Sequence, residues 1–258
     1  MSTAGTAQQT TQEQHVGYYV YGIVPSDVEL TEDARGIEDR DIQLIRHGDI
    51  AAMVSEISIR AAIGRPEDLA AHERLLDATA PEAPVLPFRF GSVMADADAV
   101  TEHLLEPNHD TFTAALKELE GRTEYIVKGR YDEKAILEEV LAENEEAAGL
   151  RSQIRGKDEI TTRDLRMQLG EIIHEALDAK RTSDTNELAE AISDHAVAHS
   201  VLAPTHEYDA THLAFLVETA RRESFEKCVD DVARERQGRI NFRLLGPLAP
   251  YDFVVTQR

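Results

Sequence analysis

His195 and His199 stand four residues apart in the stretch SDHAVAHS, within a segment whose pattern predicts a helix over Asp184–His199. Two imidazoles at that spacing share one helical face and would supply half of a tetrahedral zinc site, with His206 and His212 as the next ligands along the chain. The residues around them favour a plainer role. Both continue the face that carries Leu188 and Ile192, and Ala196 stands where an H-E-x-x-H helix needs its glutamate. A histidine at a helix end also tolerates partial burial, and its positive form suits the helix dipole. No metal site is assigned; His195 and His199 are kept only as the metal candidates.

The other reactive side chains assemble no better. His72 and Glu73 are neighbours, and neighbours on a helix point in different directions. Cys228 lies on the apolar stripe of a predicted helix with Phe225, Val229 and Val232, which reads as a small core residue. Gly156 and Lys157 resemble the end of a phosphate loop, but Arg151 replaces the first glycine and Asp158 replaces the serine or threonine. There is no G-x-S-x-G elbow. No catalytic residue and no cofactor is assigned.

One charged residue still needs a purpose. In VLPFRFGSV, alternation along a strand predicted over Val85–Phe90 puts Val85, Pro87, Arg89 and Gly91 on one face, and Leu86, Phe88 and Phe90 on the other. The five donors of Arg89 then suit a structural tie to strand-end or helix C-terminal carbonyls, or to a carboxylate. A partner contact ranks second and catalysis third.

The elements that must position these residues follow from periodicity. GYYVYGIV (Gly17–Val24) is aromatic and β-branched and reads as a buried strand; Ile42–Arg46 and Ile50–Ile57 read as a hairpin about His47, Gly48 and Asp49. Pro66 and two acidic residues open a helix to about Ala80, with Leu69, His72, Leu75 and Leu76 on one face. Helices are expected over Asp96–Glu106 and Asp110–Glu120, parted by Pro107 and Asn108. These form a first α+β domain over residues 16–122.

The second half predicts a strand over Glu124–Tyr131 and helices over Asp132–Ala148, Arg163–Lys180 and Asp184–His199, the last opened by a capping box of Asp184 and Glu187. Strands over Ser200–Glu207 and His212–Glu218 follow, joined by Tyr208, Asp209 and Ala210, then a helix over Arg221–Gln237 and a strand over Arg239–Leu245. Strand, helix, strand, strand, helix, strand is the ferredoxin-like order. A ferredoxin-like domain over residues 123–258 is therefore expected, with extra helices inserted over about 149–199. Such a fold hosts many activities and selects none.

Composition limits the partners. The 258 residues carry 49 Asp and Glu against 27 Lys and Arg, a formal net charge of −22, which repels nucleic acid and anionic membrane surfaces. A single cysteine fits a reducing cytoplasm. Residues 1–15, rich in Ser, Thr and Gln, lack the pattern of a signal peptide and read as a disordered tail.

Three stretches, in order, carry a resemblance. GYYVYGIVP, then HERLLD with VLPFRFGSV, then LLGPLAPYDFV resemble the gas vesicle protein F and L family and together span Gly17–Val254. The ending departs from that family's usual G-P-W-P-P-Y-x-F, with Leu248 and Ala249 in place of its tryptophan and a proline. The resemblance implies two domains and a modified ferredoxin-like C-terminal half. It also implies a non-catalytic accessory role in gas vesicle assembly in the cytoplasm, through binding of the small hydrophobic shell protein and other accessory proteins. Pro87, Phe88, Arg89, Phe90, Gly91, Pro250, Tyr251 and Phe253 are then the expected partner contacts. The rival reading is a metal-dependent or small-molecule-binding enzyme using His195, His199 and His206.

Overall fold

GYYVYGIVP becomes β1, Val16–Pro25, and from Tyr19 to Val24 every described side chain except the glycine is essentially without solvent contact. A strand buried on both faces must lie inside a sheet. The computed structural model describes residues 16–31, 33–58 and 63–254, so the expected tail at 1–15 lies outside the described residues. The contacts divide the chain into two units, one taking the described residues up to Leu76 together with Val85–Glu118, the other Asp77–Pro84 and the chain from Leu119 onward.

In the first unit the expected hairpin forms from β2, Gln43–His47, and β3, Ile50–Ser58. Helix α1, Pro66–Thr79, follows, and then two short strands, β4, Leu86–Pro87, and β5, Val93–Met94. The antiparallel sheet runs β2-β3-β1-β4, with β5 also on β1. Gly22 permits the β1–β4 approach, because a Cβ there would lie 2.6 Å from the Leu86 carbonyl oxygen.

At the start of α1, Asp68 is 2% exposed and accepts hydrogen bonds from the Arg65 backbone N–H at 3.1 Å and the Arg65 guanidinium at 3.0 Å. The guanidinium holds the carboxyl below the usual carboxylate range. The buried face is Asp68, His72, Leu75 and Leu76, whereas Leu69, expected inside, is 42% exposed. Asp68, with its ion pair, takes the first buried position in place of Leu69, while His72, Leu75 and Leu76 are buried as expected.

A second correction concerns Pro107. Helix α2, Ala97–Ala99, is capped by Asp96 and runs through a π-helical turn, Val100–Leu105, directly into α3, Glu106–Leu119. The expected break is absent. The wider turn comes just before a residue with no N–H to give, so the proline is absorbed rather than ending the helix.

The second unit begins with β6, Arg122–Tyr131, and α4, Glu133–Glu143. The predicted helix over Asp132–Ala148 breaks at Asn144, whose side chain accepts from the Ala147 N–H and so starts α5, Glu145–Ile154. The two helices predicted over Arg163–Lys180 and Asp184–His199 are one, α6, Arg163–Ile192. Then come β7, Ala198–Val201, β8, Asp209–Glu218, α7, Arg222–Glu235, and β9, Ile240–Leu248. The strand predicted over Ser200–Glu207 shortens to β7, and Asp209 and Ala210 belong to β8 rather than to a turn.

This sheet has the order β7-β8-β6-β9 and is antiparallel throughout. Tyr125, Val127, Leu213, Phe215 and Val217 pack against Leu188 and Ile192 of α6 and Phe225, Val229 and Val232 of α7. Cys228 packs against the edge of that core. Among the described residues, no helix is long and apolar enough to cross a membrane.

Candidate functional site

The PFRFG segment is positioned by His72, which the sequence places on the α1 face, and by Tyr19 and Tyr21 of β1, whose link to this segment no sequence pattern shows. His72 is 1% exposed; its Nδ1 lies 2.9 Å from the Tyr19 hydroxyl and its Nε2 3.1 Å from the Phe88 carbonyl. Since a carbonyl only accepts, Nε2 carries the proton, and Nδ1 is left to accept from Tyr19. The Tyr19 oxygen in turn accepts the Gly91 N–H at 3.1 Å. One chain of hydrogen bonds thus clamps both ends of the turn.

Rings complete the clamp. The imidazole stacks on Tyr21 at 5.5 Å and meets Phe90 edge-on at 5.8 Å, while Phe88 meets Phe112 edge-on at 6.2 Å. The Tyr21 hydroxyl accepts from the Ile37 N–H at 2.8 Å and pairs with the Ser55 hydroxyl at 2.9 Å. Burial pushes the Tyr19 and Tyr21 hydroxyls up and His72 down, so the network is neutral near pH 7. Gly91 has φ +95, a left-handed conformation that closes the turn and that other residues adopt at a cost.

Alternation does not describe this segment. Val85, Leu86 and Pro87 are all buried, Phe88 and Phe90 are half-buried, and Arg89 is exposed at the crest of the turn. The strand ends at Pro87, so the two-face pattern expected through Gly91 has no sheet to impose it. Arg89 lends its backbone carbonyl to the Ser92 hydroxyl, but among the described residues its guanidinium makes no hydrogen bond or ion pair. The structural tie expected of Arg89 is not what this side chain does.

The C-terminal stretch is held by carboxylates. Ala249 N–H donates to Asp77 Oδ1 at 2.9 Å and Asp252 N–H donates to Glu124 Oε2 at 2.9 Å. Glu124 is 2% exposed; burial, with the nearby charges of Asp252 and Asp77, pushes its carboxyl up to about 8. Pro250 is buried, while Tyr251 and Phe253 are half-buried.

The histidine candidates separate. His195 ends a short 3-10 turn, Ser193–His195, and His199 lies in β7, so they share no helical face and the half-zinc geometry is lost. His212 Nδ1 is 2.8 Å from the Ala203 carbonyl, His206 Nδ1 accepts from the Tyr208 N–H, and His199 packs beside Phe215. Among the described residues, no group of three or more His, Cys, Asp or Glu is placed to hold a metal ion. Nor is Asp184 a helix cap. It lies inside α6, where its carboxylate accepts from the Tyr131 hydroxyl at 2.5 Å, Arg239 at 2.7 Å and Arg236 at 3.0 Å.

Two antiparallel sheets dressed with helices, one of them carrying a clamped turn with an exposed arginine at its crest, define a mixed helix-and-sheet protein. The chain belongs to the gas vesicle synthesis protein GvpL/GvpF family, whose model matches residues 17–255. It is 32% identical over 241 residues to gas vesicle protein F of Streptomyces sp. (strain CB03234), covering 92% of this chain and 98% of that protein. Gas vesicle protein L of the same strain is 31% identical over 254 residues, covering 91% of each. The crystal structure of the gas vesicle protein GvpF from Anabaena sp. PCC7120 superimposes with a TM-score of 0.78 over 94% of this chain and 99% of that one. At 23% identity that likeness establishes the fold.

Proposed function

We propose that this chain is a non-catalytic accessory protein of gas vesicles, which acts in the cytoplasm during assembly by binding the small hydrophobic shell protein and other accessory proteins. The observation that carries this reading is similarity over nearly the whole chain to relatives named gas vesicle proteins F and L. The clamped turn supports it in chemical terms. A cation without a partner among the described residues, flanked by two half-buried phenylalanines, suits protein contact, because aromatic and arginine side chains dominate the energetics of interfaces.

Phe88, Arg89 and Phe90 are the proposed contact residues of the first unit, with Pro87 and Gly91 shaping the turn. Tyr251 and Phe253 are the proposed contacts near the C-terminus, with Pro250 shaping that segment. We read the units as two domains, the second a modified ferredoxin-like domain with a helical insertion between β6 and β7. Its strand order, β7-β8-β6-β9, supports that reading.

Co-expression of the full chain with the small shell protein, followed by size-exclusion chromatography, tests the function. A soluble complex that survives the column is expected. Shell protein that aggregates alike with and without this chain would rule out direct handling of the subunit.

A further inference from the structure

Residues 155–162 join α5 to α6, two helices packed on each other in the second unit. The loop is ordered by its own side chains. Asp158 Oδ1 accepts from the backbone N–H of Ile160 at 2.9 Å and of Thr161 at 3.1 Å, and Oδ2 takes the Thr161 hydroxyl. The Thr162 hydroxyl, itself buried, donates to the Asp158 carbonyl at 2.8 Å.

That conformation holds Ile160 in water at 90% exposure. Met167, on the following helix, is 56% exposed. With Glu159, Arg163 and Arg166 they line an open cavity of about 580 Å³. Holding an isoleucine in solvent on a hydrogen-bonded loop forgoes its burial energy, so a partner that covers it recovers that energy at a reduced cost of ordering the loop.

Charge says which partner. Residues 151–166 hold five basic residues and three acidic ones, whereas the whole chain has 27 against 49. The side chains of Arg155, Lys157 and Arg163 make no ion pair among the described residues, and Arg166 donates only to Thr162, at 3.0 Å. Asp158 is committed to the loop. The tip is thus a locally cationic, apolar-centred patch on a strongly anionic chain.

We propose that this helical tip docks an acidic amphipathic helix of a protein partner, its apolar stripe covering Ile160 and Met167 and its carboxylates pairing with Arg163 and Arg166. A second copy of this chain fits less well, since two molecules of net charge −22 repel each other. The tip belongs to the second unit and the PFRFG turn to the first, and the two rest on different observations, so failure to capture the shell protein would leave this proposal standing.

The test is fluorescence anisotropy of the full chain with a labelled amphipathic peptide of about five helical turns, with Leu and Ile on one face and Glu on the other. One control peptide has Lys in place of Glu and another has the same composition scrambled. Ile160→Ser and Arg163→Glu alter exposed side chains, and thermal unfolding verifies that both variants fold. The acidic peptide is expected to bind, each variant to weaken it by about tenfold or more, the scrambled peptide to bind weakly, and any attraction of the Lys peptide to the anionic surface to be unchanged by the variants. Equal binding of the acidic peptide by wild type and variants, or Lys-peptide binding that both variants weaken alike, would overturn the proposal. So would light scattering that shows a dimer abolished by Ile160→Ser, which would assign the tip to self-association.

Discussion

His72 and Arg89 sit in neighbouring segments and have opposite roles. An imidazole with both nitrogens engaged belongs to the fold, and His72→Ala removes two hydrogen bonds and leaves the Tyr19 hydroxyl short of an acceptor. A loss of about 2–4 kcal/mol is expected in urea denaturation. Because burial lowers the His72 pKa, its contribution is complete above the unfolded value near 6.5 and is lost as pH falls below it. Wild-type stability should therefore drop between pH 7.5 and 5.5 more steeply than that of His72→Gln; parallel curves would place the titration elsewhere. Arg89→Ala should change stability by less than about 0.5 kcal/mol while weakening capture of the shell protein. A large fall in stability would restore the structural role.

The tie at the end of β9 has a pH dependence of the opposite sign. Glu124 in β6 faces Leu248 across the sheet and accepts the Asp252 N–H, and its carboxyl is raised to about 8 by burial and by Asp252 and Asp77. A raised carboxyl stabilises fully below its unfolded pKa, near 4.5, and that contribution is lost as pH climbs through about 8. Glu124→Gln keeps the acceptor oxygen and cannot ionise. It should match wild type at pH 4 and melt higher at pH 9, a difference that calorimetry reads directly. How legible such elements were depended on where their causes lie. β1, the β2–β3 hairpin and α7 follow from local periodicity and appear within a residue or two of the expected limits. Helix α6 was hidden because Arg181–Thr185, a polar run with Asp184 at its end, reads as a loop and cap. Its helical state rests on Tyr131, Arg236 and Arg239, about 50 residues away on either side. The candidate site divides the same way. PFRFG stood out as a segment, but its clamp joins Tyr19 and His72 across 53 residues.

The charge of the whole molecule gives the last prediction. A surplus of 22 negative charges repels itself in the compact state, and salt screens exposed charges beyond roughly 8 Å at physiological strength. Many of the basic residues already sit in ion pairs, and salt weakens the exposed ones; but such pairs are worth little singly, while the surplus acts over the whole surface. The partly buried Arg239–Asp184–Arg236 cluster is screened much less. Repulsion should therefore dominate, and raising sodium chloride from low to physiological and higher strength should raise Tm by a few degrees, on the order of 1 kcal/mol. A falling Tm would mean that surface ion pairs outweigh the surplus charge. The same repulsion bears on the proposed role, because a carrier that keeps its distance from other copies can hold an apolar subunit in solution. Salt that raises Tm should then also promote precipitation of the complex with the shell protein, measured as turbidity on the same samples; a complex that stays clear would show that solubility comes from covering the apolar surface rather than from charge.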